Sequence, residues 1–241
     1  MRLRLRVHTH ATELPWDSVL DPGRGLIYEI LREIDPSLGR TLHDHGWGPH
    51  RMVPIGHGAP VFAVPKRPGV YAAGGAGTLE FGSPLPAVVH ALAVGFKARP
   101  VLDWGGVALR VNQIELIDPP SFESGRCELR TSTPVVLKGS GRDEAGVRTT
   151  RQAWLLPHEQ EYPAYLAQNL RRKAQTLGLA PEVELDQILW AGTKRSFTVK
   201  QGKKVGAPVA VQLSGSPQVL QAIHSWGLGQ GNPAGFGWVS A

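Results

Sequence analysis

The first segment of the chain alternates between basic and apolar residues from position 2 to position 9. A period of two is typical of a strand with one face buried and the other exposed. The pattern therefore predicts a strand whose open face is basic. Such a face favours a surface for RNA, and the alternative is a set of solvated arginines on an edge strand.

A helix is predicted after the turn-prone residues 21–24. Apolar residues recur at helical spacing between 26 and 34, and the pattern ends just before a proline, which disfavours helical backbone in the residue that precedes it. The apolar stripe centres near Ile30, and Tyr28 lies on its flank. Tyr28 can therefore face outward.

The rest of the first half contains short apolar runs separated by proline and glycine. Strands are predicted at 61–64 and 70–73, a helix at 85–96 and a strand at 107–117, before the turn cluster 118–121. The order strand, helix, strands, helix, strand is the ferredoxin-like βαββαβ pattern.

The second half repeats this order more loosely. A strand is predicted at 127–138, a helix at 162–177, strands near 195–200 and 205–213, and a helix at 218–225. The polar, glycine-containing stretch 139–151 is predicted to be a mobile loop.

The predicted fold class is therefore α+β, with tandem ferredoxin-like (RRM-like) domains built on antiparallel sheets. The expected domains are 1–120, which carries the candidate catalytic residues, and 121–241, which carries a glycine-rich loop.

Composition narrows the class of protein. Of the 241 residues, 41% are hydrophobic and 19% charged, as in globular proteins, and the net charge of +6 favours a polyanionic partner. Cys127 is the single cysteine, so an intrachain disulfide or a cysteine-based zinc site is excluded. The sequence shows neither a membrane span nor a signal-peptide core, which predicts a cytoplasmic protein without a membrane partner.

Glycine is concentrated near the C-terminus, where the eleven residues 227–237 include five glycines. Glycine reaches left-handed backbone conformations and lets a phosphate backbone approach exposed amides. A Walker loop is excluded because no Gly-Lys-Ser/Thr sequence follows. The loop is predicted either to bind RNA or to form a tight hairpin before a last strand. The glycines concerned are Gly227, Gly229, Gly231, Gly235 and Gly237.

Three motifs carry a resemblance to a known family. The first is Gly227-Leu-Gly, five residues, then Gly235-Phe-Gly. The second joins Gly25-Leu-Ile-Tyr28, Leu42-His43-Asp44 and Gly48-Pro49-His50-Arg51. The third is Ser132-Thr-Pro134-Val-Val-Leu, followed by Tyr165 and Asn169-Leu-Arg-Arg-Lys-Ala174. Together they resemble the CRISPR repeat-processing endoribonucleases of the RAMP superfamily, across both halves of the chain.

The resemblance implies an active site near the first helix that contains His43, Tyr28 and His50, with Arg51 as a neighbour. The family often has lysine where this chain has His50. The residue that fills the third catalytic role, beside His43 and Tyr28, therefore stays open. His50 is favoured by its position and Arg51 by its permanent charge.

These residue types suit cleavage of RNA by its own 2′-hydroxyl. The reaction needs a base for the 2′-hydroxyl, an acid for the departing 5′-oxygen and positive charge on the phosphorane-like transition state. Histidine can perform either proton transfer near neutral pH. We expect His43 to act as general base or acid and Tyr28 to orient or protonate, without a metal or other cofactor.

A metal site is the competing interpretation of the same stretch. His43, Asp44, His45, His50 and His57 lie within fifteen residues, and histidine clusters bind metals. The glycines and prolines between them favour a loop over a fixed scaffold. His45 and His57 are expected to be solvated.

Further RNA contacts are expected from basic clusters in the second half, which would follow the phosphate backbone. Trp47 is the aromatic residue expected to stack on an unpaired base. The basic candidates are Arg171, Arg172, Lys173, Lys194, Arg195, Lys200, Lys203 and Lys204.

The predicted function is a metal-independent endoribonuclease acting on CRISPR repeat RNA, as precursor and as processed product. The alternative is a non-catalytic RNA-binding RAMP subunit of a CRISPR effector complex, and a more distant one is a metal-dependent phosphohydrolase. Tyr28 and His43 favour an enzyme, because a pure binder does not need them. A monomer or homodimer is expected, with an effector complex as a further candidate partner.

Overall fold

The structure is a computed structural model that describes residues 1–142, 145, 148–199 and 202–240. Its first half consists of the following elements: β1 (Arg2–Thr9), β2 (Glu13–Leu14), α1 (Asp21–Ile34), α2 (Pro36–Arg40), β3 (Gly56–His57), β4 (Val61–Phe62), β5 (Tyr71–Ala72), β6 (Gly75–Gly82), α3 (Pro86–Lys97), β7 (Val101–Asp103) and β8 (Ala108–Ile117). A 3-10 turn (Trp16–Ser18) precedes α1, and a π-helical turn (Thr41–His45) follows α2.

The elements of the second half follow the same plan with two additions. They are β9 (Arg126–Thr131), β10 (Leu137–Arg142), β11 (Arg148–Leu155), α4 (Tyr162–Thr176), β12 (Val183–Ala191), β13 (Arg195–Val199), β14 (Gly202–Gly206), β15 (Val209–Gly215), α5 (Pro217–Trp226), a 3-10 turn (Asn232–Ala234) and β16 (Val239–Ser240).

The first sheet has the strand order β3-β6-β1-β8-β7, with β4 also paired to β6, and its pairings are antiparallel. Leu3, Leu5 and Val7 of β1 are buried, as the alternation predicts. Helices α1 and α3 pack against each other, and Gly95 of α3 makes room for Ile30 of α1: a Cβ at Gly95 would lie 2.2 Å from Ile30 Cγ2.

The second sheet has the order β12-β15-β9-β16 and is also antiparallel. Its main elements are β9, α4, β12, β15, α5 and β16, which reproduce the βαββαβ plan of the first half. Two hairpins are inserted into that plan, β10-β11 before α4 and β13-β14 before β15. The predicted tandem ferredoxin-like fold is confirmed.

Several element predictions were wrong in detail. In the first sheet, the long strand between α1 and α3 is β6, which the sequence did not indicate. The predicted strand at 70–73 contributes only β5, a short partner of β2. In the second half, the sheet strand β12 was missed. Residues 195–199 instead form the side hairpin with β14, and β15 begins only at Val209.

Three boundaries also differ. Helix α1 begins at Asp21, so the predicted turn 21–24 is the first turn of the helix. Pro22 is tolerated there because the backbone N–H groups of the first turn have no hydrogen-bond partner within the helix. The predicted strand 127–138 breaks after Thr131. The predicted loop 139–151 is mostly the β10-β11 hairpin, and residues 143, 144, 146 and 147 lie outside the described residues.

The basic face of β1 is neutralised rather than free. Arg4 binds Glu80 at 2.7 Å and Arg6 binds Glu115 at 2.7 Å. Arg2 is buried at the junction of the two halves: its Nε donates to the His224 carbonyl at 3.1 Å, and its guanidinium lies 4.0 Å from the centroid of the Trp238 ring. The predicted RNA surface on this strand is therefore not supported.

The two sheets have separate buried cores, apart from three buried residues of the second half. Val136, Ala234 and Phe236 of the second half pack into the core of the first. The proposed domains 1–120 and 121–241 therefore meet through shared apolar contacts as well as through Arg2. In the described part of the chain, every helix is too short or too polar to cross a membrane.

Candidate active site and nucleic-acid interface

Tyr28 and His43, fifteen residues apart in the sequence, are in contact in the structure. Their ring centroids lie 5.1 Å apart and the ring planes are inclined by 87°, an edge-on arrangement. Aromatic pairs favour this geometry because a positive ring edge meets a negative face. The sequence prediction that the two side chains meet is supported.

Local structure after α1 explains how they come together. The Asp35 carboxylate accepts a hydrogen bond from the Leu38 N–H at 3.0 Å, which caps the start of α2. Gly39 then lets α2 lie against α1, because a Cβ at Gly39 would be only 3.1 Å from the Arg32 backbone nitrogen. The π-helical turn that follows places His43 beside Tyr28.

The two rings line a surface pocket of about 380 Å³ with two arginines at its margin. The lining residues are Gly25, Tyr28, Glu29, Arg32, Gly39, Arg40, His43 and Asp44. Arg32 and Arg40 are exposed. The pocket thus combines an imidazole, a phenol, two permanent positive charges and the carboxylates of Glu29 and Asp44.

Asp44 orients the imidazole. His43 Nδ1 lies 2.8 Å from Asp44 Oδ1, and this hydrogen bond is the main reason that the pKa of Asp44 lies below its ordinary value. In the neutral imidazole, a carboxylate at Nδ1 favours the tautomer with its proton on Nδ1, so that the lone pair lies on Nε2. Nε2 of His43 is then available as a base.

The Tyr28 phenol is held in its protonated form. Burial raises its pKa, and the opposing effect of the nearby Arg24 is smaller. The Arg24 guanidinium carbon lies 5.8 Å from the centroid of the Tyr28 ring. Tyr28 is therefore a hydrogen-bond donor at neutral pH.

His50 and Arg51 do not line the pocket that contains Tyr28 and His43. His50 is exposed and its Nε2 lies 2.7 Å from Gln175 Oε1 at the end of α4. Arg51 is exposed and has a φ of +49° in the turn that precedes β3. Because Arg32 and Arg40 line the pocket and these two do not, the predicted third role of His50 or Arg51 stays a prediction with weaker geometric support.

The histidines of the predicted metal alternative do not converge. His57, expected to be solvated, is fully buried against Phe81 and Trp104. Burial lowers its pKa to about 4. Among residues 1–142, 145, 148–199 and 202–240, no group of three or more His, Cys, Asp or Glu side chains is arranged to hold a metal ion.

A second pocket, of about 260 Å³, shares Tyr28 with the first. It lies between α1 and the glycine-rich segment. Its lining residues are Arg24, Tyr28, Met52, Val53, Lys204, Trp226, Gln230, Gly231, Asn232, Pro233 and Ala234. Burial, together with the positive charges of Arg24 and Lys138, lowers the pKa of Lys204. This concentration of positive charge suits an anion.

The glycine-rich segment is a packed loop rather than an open cradle. All five of its glycines have positive φ, which only glycine adopts without strain. Gly237 is the tightest position, since a Cβ there would lie 1.9 Å from the Leu228 carbonyl oxygen. Gly227, Gly229, Gly235 and Gly237 are buried, and Gly231, which is half-buried, lines the second pocket. Burial argues against direct RNA contact by Gly227, Gly229, Gly235 and Gly237, and RNA contact at Gly231 stays a prediction.

Comparison with known proteins decides the family. Residues 117–241, more than half of the chain, match the family described as CRISPR associated protein Cas6, C-terminal. The chain belongs to the Cas6 family. The resemblance seen in the sequence is confirmed, although no curated protein sequence matches the chain.

Solved structures resemble the whole chain in fold. One described as a RAMP protein binding different RNA substrates has a TM-score of 0.81 at 18% identity, covering 100% of this chain and 98% of that one. A Cas6-related protein from Pyrococcus furiosus has a TM-score of 0.78 at 18% identity, with coverages of 100% and 97%. A Cas6 product complex has a TM-score of 0.67 at 16% identity, with coverages of 99% and 98%.

The predicted basic contacts of this Cas6-family chain divide into several groups. Arg172, Lys194, Arg195 and Lys203 are exposed, and Lys204 lines the second pocket. Arg171 is paired with Glu184, and Lys200 lies outside the described residues. Trp47 is half-buried and packs against the first core, which leaves less of its ring for stacking.

Lys173 was predicted wrongly as a surface residue. It is 1% exposed on the buried face of α4, where burial lowers its pKa well below the ordinary value for lysine. The signal was present in the sequence, because Lys173 lies three residues after Leu170 and seven after Leu166, on the apolar stripe.

The buried amine should make folding stability depend on pH. Above its lowered folded-state pKa, Lys173 is neutral in the folded chain, while the unfolded chain still binds a proton up to about pH 10.4. The unfolded state therefore binds more protons in this window, so wild-type stability rises with pH, by at most about 1.4 kcal/mol per pH unit. Denaturant unfolding of wild type and Lys173→Met between pH 7 and 10 should show the advantage of the variant shrinking as pH rises. A constant difference would contradict a neutral buried amine.

Proposed function

We propose that this chain is a metal-independent endoribonuclease that binds CRISPR repeat RNA and cleaves the precursor transcript, giving 2′,3′-cyclic phosphate and 5′-hydroxyl ends. The observation that carries the proposal is the contact between Tyr28 and His43 in a pocket bordered by Arg32 and Arg40. Family membership supports the substrate class.

Each group in the pocket has a role in this reaction. His43 Nε2, which carries the lone pair when the neutral imidazole donates its Nδ1–H to Asp44, accepts the proton of the 2′-hydroxyl. The 2′-oxygen attacks the adjacent phosphorus, and the bond to the 5′-oxygen breaks. The departing oxygen takes its proton from Tyr28, or from solvent while Tyr28 donates a hydrogen bond to it, and becomes the 5′-hydroxyl. Arg32 and Arg40 stabilise the negative charge that develops on the phosphorane.

The decisive experiment is incubation of the chain with a panel of CRISPR repeat RNAs in EDTA. The expected products carry a cyclic phosphate and a 5′-hydroxyl. Placing a 2′-deoxy sugar just upstream of the mapped cut should block cleavage and leave binding intact, because only the nucleophile is removed. Cleavage that requires an added metal ion would overturn the mechanism. Tight binding without cleavage would favour the RNA-binding subunit instead.

Tyr28 lines both pockets, which supports a single RNA path through them. One strand can pass from the first pocket, across Tyr28, into the second pocket between Arg24 and Lys204. In the β13-β14 hairpin, Lys204 pairs in register with Phe197, whose ring packs against Phe236 of the glycine-rich loop. Paired residues share one face of a hairpin. Lys204 therefore faces the loop and Lys203 faces away.

We expect Lys204→Ala to weaken RNA binding and to flatten its salt dependence. Each lost phosphate contact on a single strand should reduce the log–log salt slope by about 0.7. Lys203→Ala is the matched control, with the same charge removed from the opposite face of the same strand. Equal slopes for the two variants would place the RNA path away from the second pocket.

A further inference from the structure

One buried basic side chain, that of Lys173, has no role in the proposed chemistry. The amine of Lys173 donates a hydrogen bond to Asn232 Oδ1 at 2.6 Å and lies 4.1 Å from the centroid of the Trp226 ring. Within the described residues, no carboxylate pairs with it. Its polar surroundings are thus one amide oxygen and the face of an indole.

Such a lysine is unfavourable for folding. A buried amine loses its hydration, and burial lowers its pKa well below the ordinary value for lysine. An apolar side chain of similar length would fill the same space without that cost. The position therefore calls for a reason other than stability.

Asn232 supplies that reason, because it closes the glycine-rich loop on itself. Its Nδ2 donates to the carbonyl oxygens of Leu228 and Phe236, both at 2.9 Å. These two contacts use both amide hydrogens, so Oδ1 must face the opposite way, towards Lys173. Without a donor there, the amide oxygen would be buried and unpartnered, and the cost of that would weaken the closed form of the loop.

We infer that Lys173 is a positioning residue for RNA: it holds Asn232, and through it loop 228–236, in the shape that forms the wall of the second pocket. The inference rests on the proposed function and goes beyond it, because Lys173 itself is enclosed and touches no RNA. Asn232 and Trp226, its two contacts, both line that pocket. The loop is also fixed from the other side, where His57 packs against Gly235: a Cβ at Gly235 would lie 2.8 Å from His57 Cε1.

The test is Lys173→Met, which keeps the length of the side chain and removes the donor. Folding stability at pH 7 should stay equal or rise, while the Kd for a 2′-deoxy-blocked repeat RNA should increase about tenfold, the usual effect of one lost buried hydrogen bond. Amide hydrogen exchange in residues 228–236 should become faster. The single-turnover cleavage rate at saturating RNA should change little, because His43 lies in the other pocket.

Two further variants make the result specific. Leu170→Met, one turn earlier on the same buried face of α4, perturbs the same helix but keeps the Lys173 donor to Asn232, so it should leave the Kd unchanged. Asn232→Ala should raise the Kd by itself, and adding Lys173→Met to it should produce little further change, since both residues act through one contact.

The binding measurements distinguish failure of the positioning role of Lys173 from failure of the proposed function. If wild type binds the blocked repeat RNA and Lys173→Met binds equally well, the positioning role is overturned and the proposed function stands. Additive effects of the two substitutions on the Kd would also overturn it. If wild type binds none of the repeat RNAs, the proposed function fails, and the inference fails with it.

Discussion

Replacing His43 with alanine is expected to slow RNA cleavage by roughly 10²- to 10⁴-fold while RNA binding stays nearly intact. This range is the usual effect of removing one acid–base group from a site. Binding should survive because the arginines at the margin of the pocket and Lys204 remain. Single-turnover rates at saturating RNA, measured in EDTA beside Kd values for the uncleavable RNA, separate the two quantities.

His45→Ala is the matched control, since His45 is an exposed histidine in the same π-helical turn that does not line the pocket. Its cleavage rate should stay close to that of wild type. Tyr28→Phe keeps the ring against His43 and removes only the hydroxyl, so it tests the proposed role of the phenol as a donor to the departing oxygen. An unchanged rate for His43→Ala would remove this residue from the mechanism, whatever the behaviour of Tyr28→Phe.

Replacing Gly237 with alanine is expected to destabilise the fold by about 3 kcal/mol. About 1 to 2 kcal/mol arises from the left-handed backbone, whose φ is +65°. The rest arises from the clash of the new Cβ with the Leu228 carbonyl oxygen, 1.9 Å away, which forces the loop to shift. Urea unfolding measures the loss as a change in the free energy of unfolding.

Gly178 provides a close control for that experiment. Its φ of +69° is nearly the same, but nothing lies within 4 Å of a Cβ built there. Gly178→Ala should therefore cost only the backbone strain, about 1 to 2 kcal/mol. Equal losses for the two variants would show that close packing of the glycine-rich loop contributes nothing.

The fold was predictable where one periodicity was strong. The alternation in β1 and the apolar stripe of α1 each identified an element. Strand β6 escaped because three of its eight residues are glycine, which weakens the strand pattern. Strand β12 escaped because register shifts at 185/187 and 188/190 interrupt its alternation.

The candidate site was predictable in part. The order of motifs pointed to Tyr28 and His43, and the structure brings these two rings together. Arg40 and Asp44 could not be assigned roles in the same way, because their places depend on how α2 folds back on α1 over Gly39. Asn232 was hidden for another reason: its role lies in two carbonyl contacts that no spacing of side chains reveals.

The buried guanidinium of Arg2 has a consequence for how a long polymer can fit. Separating the two halves would expose Trp238 and leave the His224 carbonyl without its donor, so the joint resists opening. The relative position of the two pockets, which share Tyr28, is then fixed before a ligand binds, and a strand that fills both pockets has to adapt to it. A flexible, unpaired stretch around the cut meets that requirement with less distortion than a stiff duplex.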